Sequence, residues 1–277
     1  MTGTIPLAGV IGHPVAHSRS PRLHGFWLSR MGLPGHYVPL DVAPADLAAV
    51  LAALPRAGFR GVNVTTPHKE AALALATGAT DRARRIGAAN TLTFRSDGGF
   101  DADCTDGEGF IANLRHARPD WRVDAGPVAV YGAGGAARAV LDALLADGAA
   151  EIRLTNRTRT RAEALRDAFG PVIRVVDWAD AATLANGAAT LVNTTSLGMA
   201  GQPPFDLPLV GIAPAALATD IVYAPRDTPF LRAARASGAD TVDGLGMLLY
   251  QAVPGFAAWF GQTPVVDAET RASVLAS

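Results

Sequence analysis

The chain has 277 residues, of which 49% are apolar and 18% charged, so it carries enough apolar material for a buried core and lacks the composition of a disordered chain. Its 24 basic and 25 acidic residues nearly cancel, which argues against a nucleic-acid partner or an anionic membrane surface. A single cysteine, Cys104, excludes an internal disulfide and a cysteine-based metal cluster, and no metal is expected. No stretch approaches the roughly 18 uninterrupted apolar residues of a membrane span. Met1–Pro6 shows no basic, leader-like opening, so a reducing cytoplasm is the expected compartment.

Strand-like runs alternate with helical patterns along the chain, the signature of an α/β architecture. Ile5 to Gly12 reads as a buried strand, followed by a helix from Ser20-Pro21 through Met31, with Ser20 as its cap and Pro21 in its first turn. His36 to Val42 is a second strand. Pro44 to Leu54 is a helix with leucines at 47, 51 and 54 on one face. Arg60 to Thr65 is a third strand, and a helix from His68 to about Thr77 puts Lys69 in its first turn. Asn90 to Arg95 and Gly99 to Ala102 form a strand pair about the turn Ser96-Asp97-Gly98. Asp106 to Arg118 is a helix ended by Pro119. Pro127 to Tyr131 is an apolar strand running into a glycine-rich turn. Then come a helix to Leu145, a strand Glu151–Thr155, a helix Thr160–Phe169 and a strand Val172–Val176. Thr190–Asn193 and Ala218–Val222 are further strands. The last long helix, about Leu245 to Phe260, is expected to return to the first domain and make it discontinuous.

The turn after the Pro127 strand reads Gly132-Ala133-Gly134-Gly135-Ala136-Ala137, a G-x-G-x-x-A pattern between a strand and a helix. In that context the first glycine can make the tight turn, and the second admits a pyrophosphate. The small Ala137 allows close helix packing, and the helix N-terminus offers N–H groups to phosphate. An NAD site places an acidic residue about 20 positions on. This chain places Asn156-Arg157-Thr158-Arg159-Thr160-Arg161 there, and guanidinium groups suit a 2′-phosphate, so the expected cofactor is NADP. Asn193-Thr194-Thr195-Ser196 follows another strand and belongs at the ligand-binding ends of such a sheet.

Of the 24 basic residues only one, Lys69, is lysine. Arginine keeps its proton in proteins, whereas a lysine amine can be tuned to release it and take it back. Three polar clusters follow apolar strands in the first half: His17-Ser18-Arg19-Ser20-Pro21, Asn63-Val64-Thr65-Thr66-Pro67-His68-Lys69, and Asn90-Thr91. Their hydroxyls and carboxamides suit a polyol. Taken singly, Ser20 reads as a helix cap, Asn90 as a turn residue and Asp106 as a helix N-terminal carboxylate. His17 and His68 are alternative acid–bases to Lys69.

In order, Gly12-x-Pro14-x-x-His17-Ser18-x-Ser20-Pro21 and Gly61-x-Asn63-Val64-Thr65-x-Pro67-x-Lys69 resemble the shikimate dehydrogenase family. So do Asn90-Thr91, Thr105-Asp106-Gly107, the Gly132 loop, Asn156-Arg157-Thr158, Asn193-Thr194-Thr195-Ser196 and Gly244-x-x-Met247-Leu248-x-x-Gln251-Ala252. The resemblance runs from about residue 9 to residue 261. It implies reversible, NADP-dependent reduction of 3-dehydroshikimate to shikimate in aromatic amino acid biosynthesis, by a monomer or homodimer. The implied architecture is a substrate-binding α/β domain of residues 1–105 plus 241–277, and a Rossmann-like NADP domain of residues 106–240. By position, Lys69 and Asp106 would be the catalytic pair. Ser18 and Ser20 would hold the substrate carboxylate, and Thr65, Asn90 and Gln251 its hydroxyls, with Tyr223 nearby. Gly132, Ala133, Gly134, Gly135, Ala136, Asn156, Arg157, Thr158, Arg161, Thr194, Ser196, Gly244 and Met247 would hold the cofactor. Cys104 and Gly25 depart from the family, which usually has Asn at both positions. A dual-specificity quinate/shikimate dehydrogenase and a non-catalytic NADP sensor on the same scaffold are the alternatives.

Overall fold

The computed structural model describes residues 5–275; residues 1–4, part of the opening segment read for a leader, lie outside the described residues. The chain forms two compact units, one of Met1–Asp106 with Leu249–Ser277 and one of Gly107–Leu248.

The first unit contains β1 (Leu7–Gly12), α1 (Ser20–Arg30), β2 (His36–Asp41), α2 (Leu47–Ala53), β3 (Phe59–Val64), α3 (Lys69–Leu75), β4 (Gly78–Ala79), α4 (Asp81–Ile86), β5 (Thr91–Phe94) and β6 (Phe100–Asp103). Its sheet has the order β2-β1-β3-β5-β6-β4. β2, β1 and β3 run parallel, whereas β5 is antiparallel to both β3 and β6. β1 lies inside this sheet and is covered on both faces. Val10 packs with Tyr37 and Trp259, and Ile11 packs with Leu51, Val62 and Leu92 on the opposite side. That explains why β1 reads as a continuous apolar run and not as an alternating one. Each such side chain stabilises the fold by about 1.5–3 kcal/mol. At Gly61 a β-carbon would collide with the Trp259 indole, whose Nε1 donates to the Leu92 carbonyl at 3.1 Å.

The second unit follows with α5 (Asp106–Ala117, beginning on the last residue of the first unit's N-terminal segment), β7 (Val128–Tyr131), α6 (Gly135–Ala146), β8 (Ile152–Thr155), α7 (Arg159–Phe169), β9 (Ile173–Val176), β10 (Thr190–Asn193), β11 (Leu217–Asp220), α8 (Pro229–Ala236) and β12 (Asp240–Val242). Its six strands are all parallel, in the order β12-β11-β10-β7-β8-β9. Alternate residues of β7 again face different cores, Val128 and Val130 on one side and Ala129 and Tyr131 on the other. The strand order reverses between β7 and β10, and crevices at such switch points are where open α/β sheets bind ligands. α9 (Leu245–Phe260) starts in the second unit and passes into the first at Leu249, and α10 (Ala268–Leu275) completes the first. No helix among the described residues is long and apolar enough to cross a membrane.

Some local expectations are corrected. Ser20 does not cap α1: the N-cap is Arg19, and its carbonyl already takes the Leu23 N–H that a Ser20 cap would have served. The first turn expected at Pro44 is 3-10, Pro44–Asp46, with the α-helix starting at Leu47. β4, α4, α8, β12 and α10 lie outside the elements read from sequence. Most are too short for a period to show; in α4 only Ala83 and Ile86 are buried.

Candidate active site

Because β1 and β3 run parallel side by side, their carboxyl ends coincide. Thr65 N donates to the Ile11 carbonyl at 2.9 Å and His13 N to the Thr66 carbonyl at 3.1 Å, which ties the two following loops together. β5 is antiparallel, so its start lies at the same end, where Val64 N donates to the Asn90 carbonyl at 2.8 Å. Ser18 and Ser20 after β1, Thr65 and Lys69 after β3, and Asn90 before β5 therefore share one end of the sheet.

Lys69 is the first residue of α3, and its Nζ donates to Asp106 Oδ2 at 2.5 Å. Asn90 Nδ2 donates to Asp106 Oδ1 at 2.8 Å and to Gln251 Oε1 at 3.0 Å. The Asn90 amide cannot turn over freely, because its Oδ1 accepts from Thr105 N at 2.8 Å. Thr105 Oγ1 in turn reaches the Gln251 carbonyl at 2.8 Å. Lys69, Asp106, Asn90 and Gln251 are thus one bonded cluster. Asp106 spends its carboxylate on Lys69 and Asn90, and Asn90 is buried within the cluster, so neither serves as a simple cap or turn residue.

Burial is the largest influence on the Lys69 amine and pulls its pKa down. The charge of Asp106 and its hydrogen bond together outweigh that, and the net position is above the ordinary lysine value. The ammonium side chain keeps about 27% of its surface exposed, enough for a reacting group to reach it. Cys104 lies against the same carboxylate, Sγ to Asp106 Oδ2 at 4.0 Å. Burial, with the Asp106 charge behind it, pushes this thiol up to about 12, so it stays neutral.

A layer beneath the cluster is absent from the site residues assigned by sequence. Tyr37 OH donates to Asn63 Oδ1 at 2.7 Å, and Asn63 Nδ2 donates to the Asn90 carbonyl at 3.1 Å and to Thr91 Oγ1 at 3.2 Å. The signal was there: Asn63 is a carboxamide inside an apolar strand, and a buried carboxamide needs partners. His68 is removed as an alternative acid–base, since it is buried with Nε2 at 2.8 Å from the Val42 carbonyl. His17 is exposed and shares no hydrogen bond with Lys69 or Asp106 among the described residues.

In the second unit Gly132 follows β7, and Asn193 ends β10 with Thr194–Ser196 after it, the two strands at the switch point. Gly132 has φ +107°, and a β-carbon there would lie 2.7 Å from Thr194 Oγ1. Only glycine fits both demands. Thr194 Oγ1 donates to the Tyr131 carbonyl at 2.9 Å and lies 3.1 Å from that of Gly132. Ala133 N donates to Asn156 Oδ1 at 3.1 Å, and Asn156 Nδ2 donates to the Thr158 carbonyl at 2.9 Å, which joins the glycine turn to the loop after β8. At Gly134 and Gly135, where α6 opens, a β-carbon would meet nothing within 4 Å. Beyond them, Ala136 is half-buried on α6, and Arg157 and Arg161 are exposed, with guanidinium groups that have no ion-pair partner among the described residues. Arg159 between them is committed, to Glu163 at 2.8 Å and Asp177 at 2.5 Å. Gly244 packs against the chain after β11, where a β-carbon would lie 2.5 Å from the Ile221 carbonyl, and Met247 packs on the core of this unit. Tyr223 belongs to the second unit, whereas the other seven residues assigned to substrate and catalysis belong to the first, Asp106 among them although it also opens α5. The described residues include no group of three His, Cys, Asp or Glu able to hold a metal ion.

Two family models match the chain: the shikimate dehydrogenase substrate binding domain over residues 10–92, and shikimate / quinate 5-dehydrogenase over residues 117–198. A shikimate dehydrogenase (NADP(+)) of Cereibacter sphaeroides is 61% identical over 273 residues, which cover 99% of this chain and 98% of that protein. The chain belongs to the shikimate dehydrogenase family. The Paracoccus denitrificans member is likewise 61% identical, over 98% of this chain and 96% of that protein. Among solved structures, shikimate 5-dehydrogenase from Thermus thermophilus, in complex with NADP(H) and shikimate, aligns with a TM-score of 0.87 at 39% identity, covering 98% of both chains. Quinate dehydrogenase from Corynebacterium glutamicum, in complex with NAD, aligns with a TM-score of 0.89 at 31% identity, covering 97% of this chain and 98% of that one. The two-unit α/β architecture is therefore that of this family, a substrate-binding domain and a Rossmann-like dinucleotide-binding domain.

Proposed function

We propose that Lys69 and Asp106 are the acid–base pair of an NADP-dependent shikimate dehydrogenase, interconverting 3-dehydroshikimate and shikimate. The observation that carries this reading is the bonded cluster Lys69–Asp106–Asn90–Gln251, built around the chain's only lysine. The chain is an oxidoreductase acting with NADP, as its family membership and its 61% identical relatives establish.

The residues at the switch point suit the cofactor. Gly132, Ala133, Gly134, Gly135 and Ala136 leave the opening of α6 free of side chains large enough to bar a pyrophosphate. Asn156, Arg157, Thr158 and Arg161 stand where a 2′-phosphate needs cations and where an NAD site would have an acid. Thr194, Ser196, Gly244 and Met247 border the same end of the second sheet. Bound NADPH supplies the hydride.

As charge grows on the carbonyl oxygen, protonated Lys69 stabilises it and donates its proton. Asp106 keeps that amine charged and aimed, and Asn90 holds Asp106 in place from its other oxygen. In the oxidative direction the neutral amine accepts the hydroxyl proton. Ser18 and Ser20 bind the substrate carboxylate. Thr65, Asn90 and Gln251 bind its ring hydroxyls, and Tyr223 completes the set. The enzyme acts in the cytoplasm as a monomer or homodimer, the compartment being supported by one buried, unpaired cysteine.

Absorbance of NADPH during shikimate oxidation tests the reading: turnover is expected in the wild type and lost in Lys69→Ala, with NADPH binding retained. Turnover kept by Lys69→Ala removes Lys69 from the mechanism. The structural likeness to a quinate dehydrogenase favours one second reading, a dual quinate/shikimate enzyme. Steady-state rates with both acids and both nucleotides separate the two.

A further inference from the structure

Asp220 takes no part in the chemistry above. It ends β11, at the carboxyl edge of the second unit's sheet, and is fully buried. Three donors converge on its carboxylate: Asn193 Nδ2 at 3.0 Å and Thr228 Oγ1 at 2.7 Å on Oδ2, and Val222 N at 2.9 Å on Oδ1. Burial pushes the carboxyl up to about 6, against the pull of those three hydrogen bonds, and no cation pairs with it among the described residues. Stability alone gives no reason for a buried, unpaired anion, because a neutral acceptor would cost less.

What the carboxylate holds gives the reason. Asn193 Oδ1 accepts from Thr195 N at 3.0 Å and from Thr195 Oγ1 at 2.7 Å, and Thr195 Oγ1 accepts from Leu197 N at 3.1 Å. The orientation of the Asn193 amide is fixed at one end by Asp220 and at the other by Thr195. This chain of bonds sets the loop that carries Thr194 and Ser196. The same carboxylate binds the Val222 N–H that leads to Tyr223, and Gly244 packs on the Asp220 carbonyl, where a β-carbon would lie 2.7 Å away. Three segments assigned to ligand binding thus meet at one buried acid.

We propose that Asp220 is a positioning residue for the NADP site, fixing the Asn193–Leu197 loop through Asn193. The proposal rests on the reading that this loop borders the cofactor. Asp220→Asn is isosteric, but its amide would turn a donor toward groups that themselves donate. Thr195→Val removes the Thr195 Oγ1 bonds to Asn193 and Leu197 at the other end of the same chain.

Titration of NADPH fluorescence, with calorimetric binding of shikimate as a control for folding, tests it in four proteins: wild type, each single variant and the double variant. Asp220→Asn should weaken NADPH binding about tenfold, with KM for NADP rising more than kcat falls and shikimate affinity changing several-fold less than NADPH affinity. Thr195→Val should weaken NADPH binding in the same direction, and the double variant should lose less than the product of the two effects. Unchanged NADPH affinity in Asp220→Asn, or fully multiplicative effects, overturns the proposal. If Asp220→Asn does not fold, unchanged affinity in Thr195→Val overturns it alone. Arg157→Ala keeps the two readings apart. If it retains the wild-type NADP preference, the cofactor site is misassigned; if it loses that preference while Asp220→Asn binds normally, only the role of Asp220 fails.

Discussion

The residues assigned to catalysis in the first unit are bonded to one another, whereas several of those assigned to the nucleotide in the second, Gly134, Gly135, Arg157 and Arg161, are open. Lys69 and Asn90 both donate to Asp106, and Asn90 also donates to Gln251. At the opening of α6, by contrast, Gly134 and Gly135 face empty space, and Arg157 and Arg161 have no ion-pair partner among the described residues. The two tasks differ in the same way. Stabilising a charge that exists only in the transition state needs groups already aimed, so that nothing reorganises when the charge appears. Binding a polyanion that is charged throughout needs unspent N–H groups and cations.

The comparison is broken most severely through Lys69. Lys69→Ala should lower kcat for shikimate oxidation by about a thousandfold, within the range for loss of a general acid–base, while NADPH affinity stays at the wild-type value. Loss of nucleotide binding in that variant would show that the two sites are not separable in this way.

Asp220 is the buried carboxylate of the second unit, bonded to three donors but to no cation among the described residues, and its cost can be measured. Its folded pKa of about 6 lies above the ordinary 3.8. The folded state therefore binds more protons than the unfolded state between those values, and stability falls as pH rises from 3.8 toward 6, then levels. That displacement corresponds to about 3 kcal/mol. Denaturant unfolding of wild type and Asp220→Asn at several pH values should show that difference developing in this window, and parallel curves would remove the buried charge from the account.

The geometry of the glycine turn, crowded at Gly132 and open at Gly134 and Gly135, is tested by Gly132→Ala. Its positive φ and the approach of Thr194 Oγ1 should cost about 2 kcal/mol of local strain, read as weaker NADPH binding with shikimate affinity unchanged. The smallest effect belongs to Arg157→Ala, which should lower the preference for NADP over NAD by about tenfold in kcat/KM, because Arg161 remains.

The placement of the segments assigned to the nucleotide was legible because they are local. The Gly132 turn, Asn156–Arg161 and Asn193–Ser196 each follow a strand whose apolar run is visible, and parallel pairing aligns their ends. The cluster proposed as catalytic was legible only in its members. Lys69 stood out as the one lysine, but its contact with Asp106 spans 37 positions and the contact of Asn90 with Gln251 spans 161, so no periodicity encodes either. The resemblance placed the residues together. The support beneath them, Tyr37 and Asn63, and the anchor at Asp220 were missed because a buried polar side chain in a strand looks the same in sequence whether it is functional or merely satisfied. Ser20 was misread as a cap because Pro21 marks a helix start without saying whose carbonyl opens it.

The pairing of Lys69 with Asp106 is tested most directly by kcat for shikimate oxidation at saturating NADP, followed through the alkaline range in wild type and in Asp106→Asn. On the proposed mechanism the oxidative direction needs a neutral Lys69, and Asp106 holds that amine's pKa above 10.5. The wild-type rate should therefore keep rising with pH toward that value. Without the Asp106 charge, burial alone acts on the amine, and the rise in Asp106→Asn should be complete at lower pH. A wild-type profile flat above neutrality, or the same midpoint in both proteins, would contradict the account.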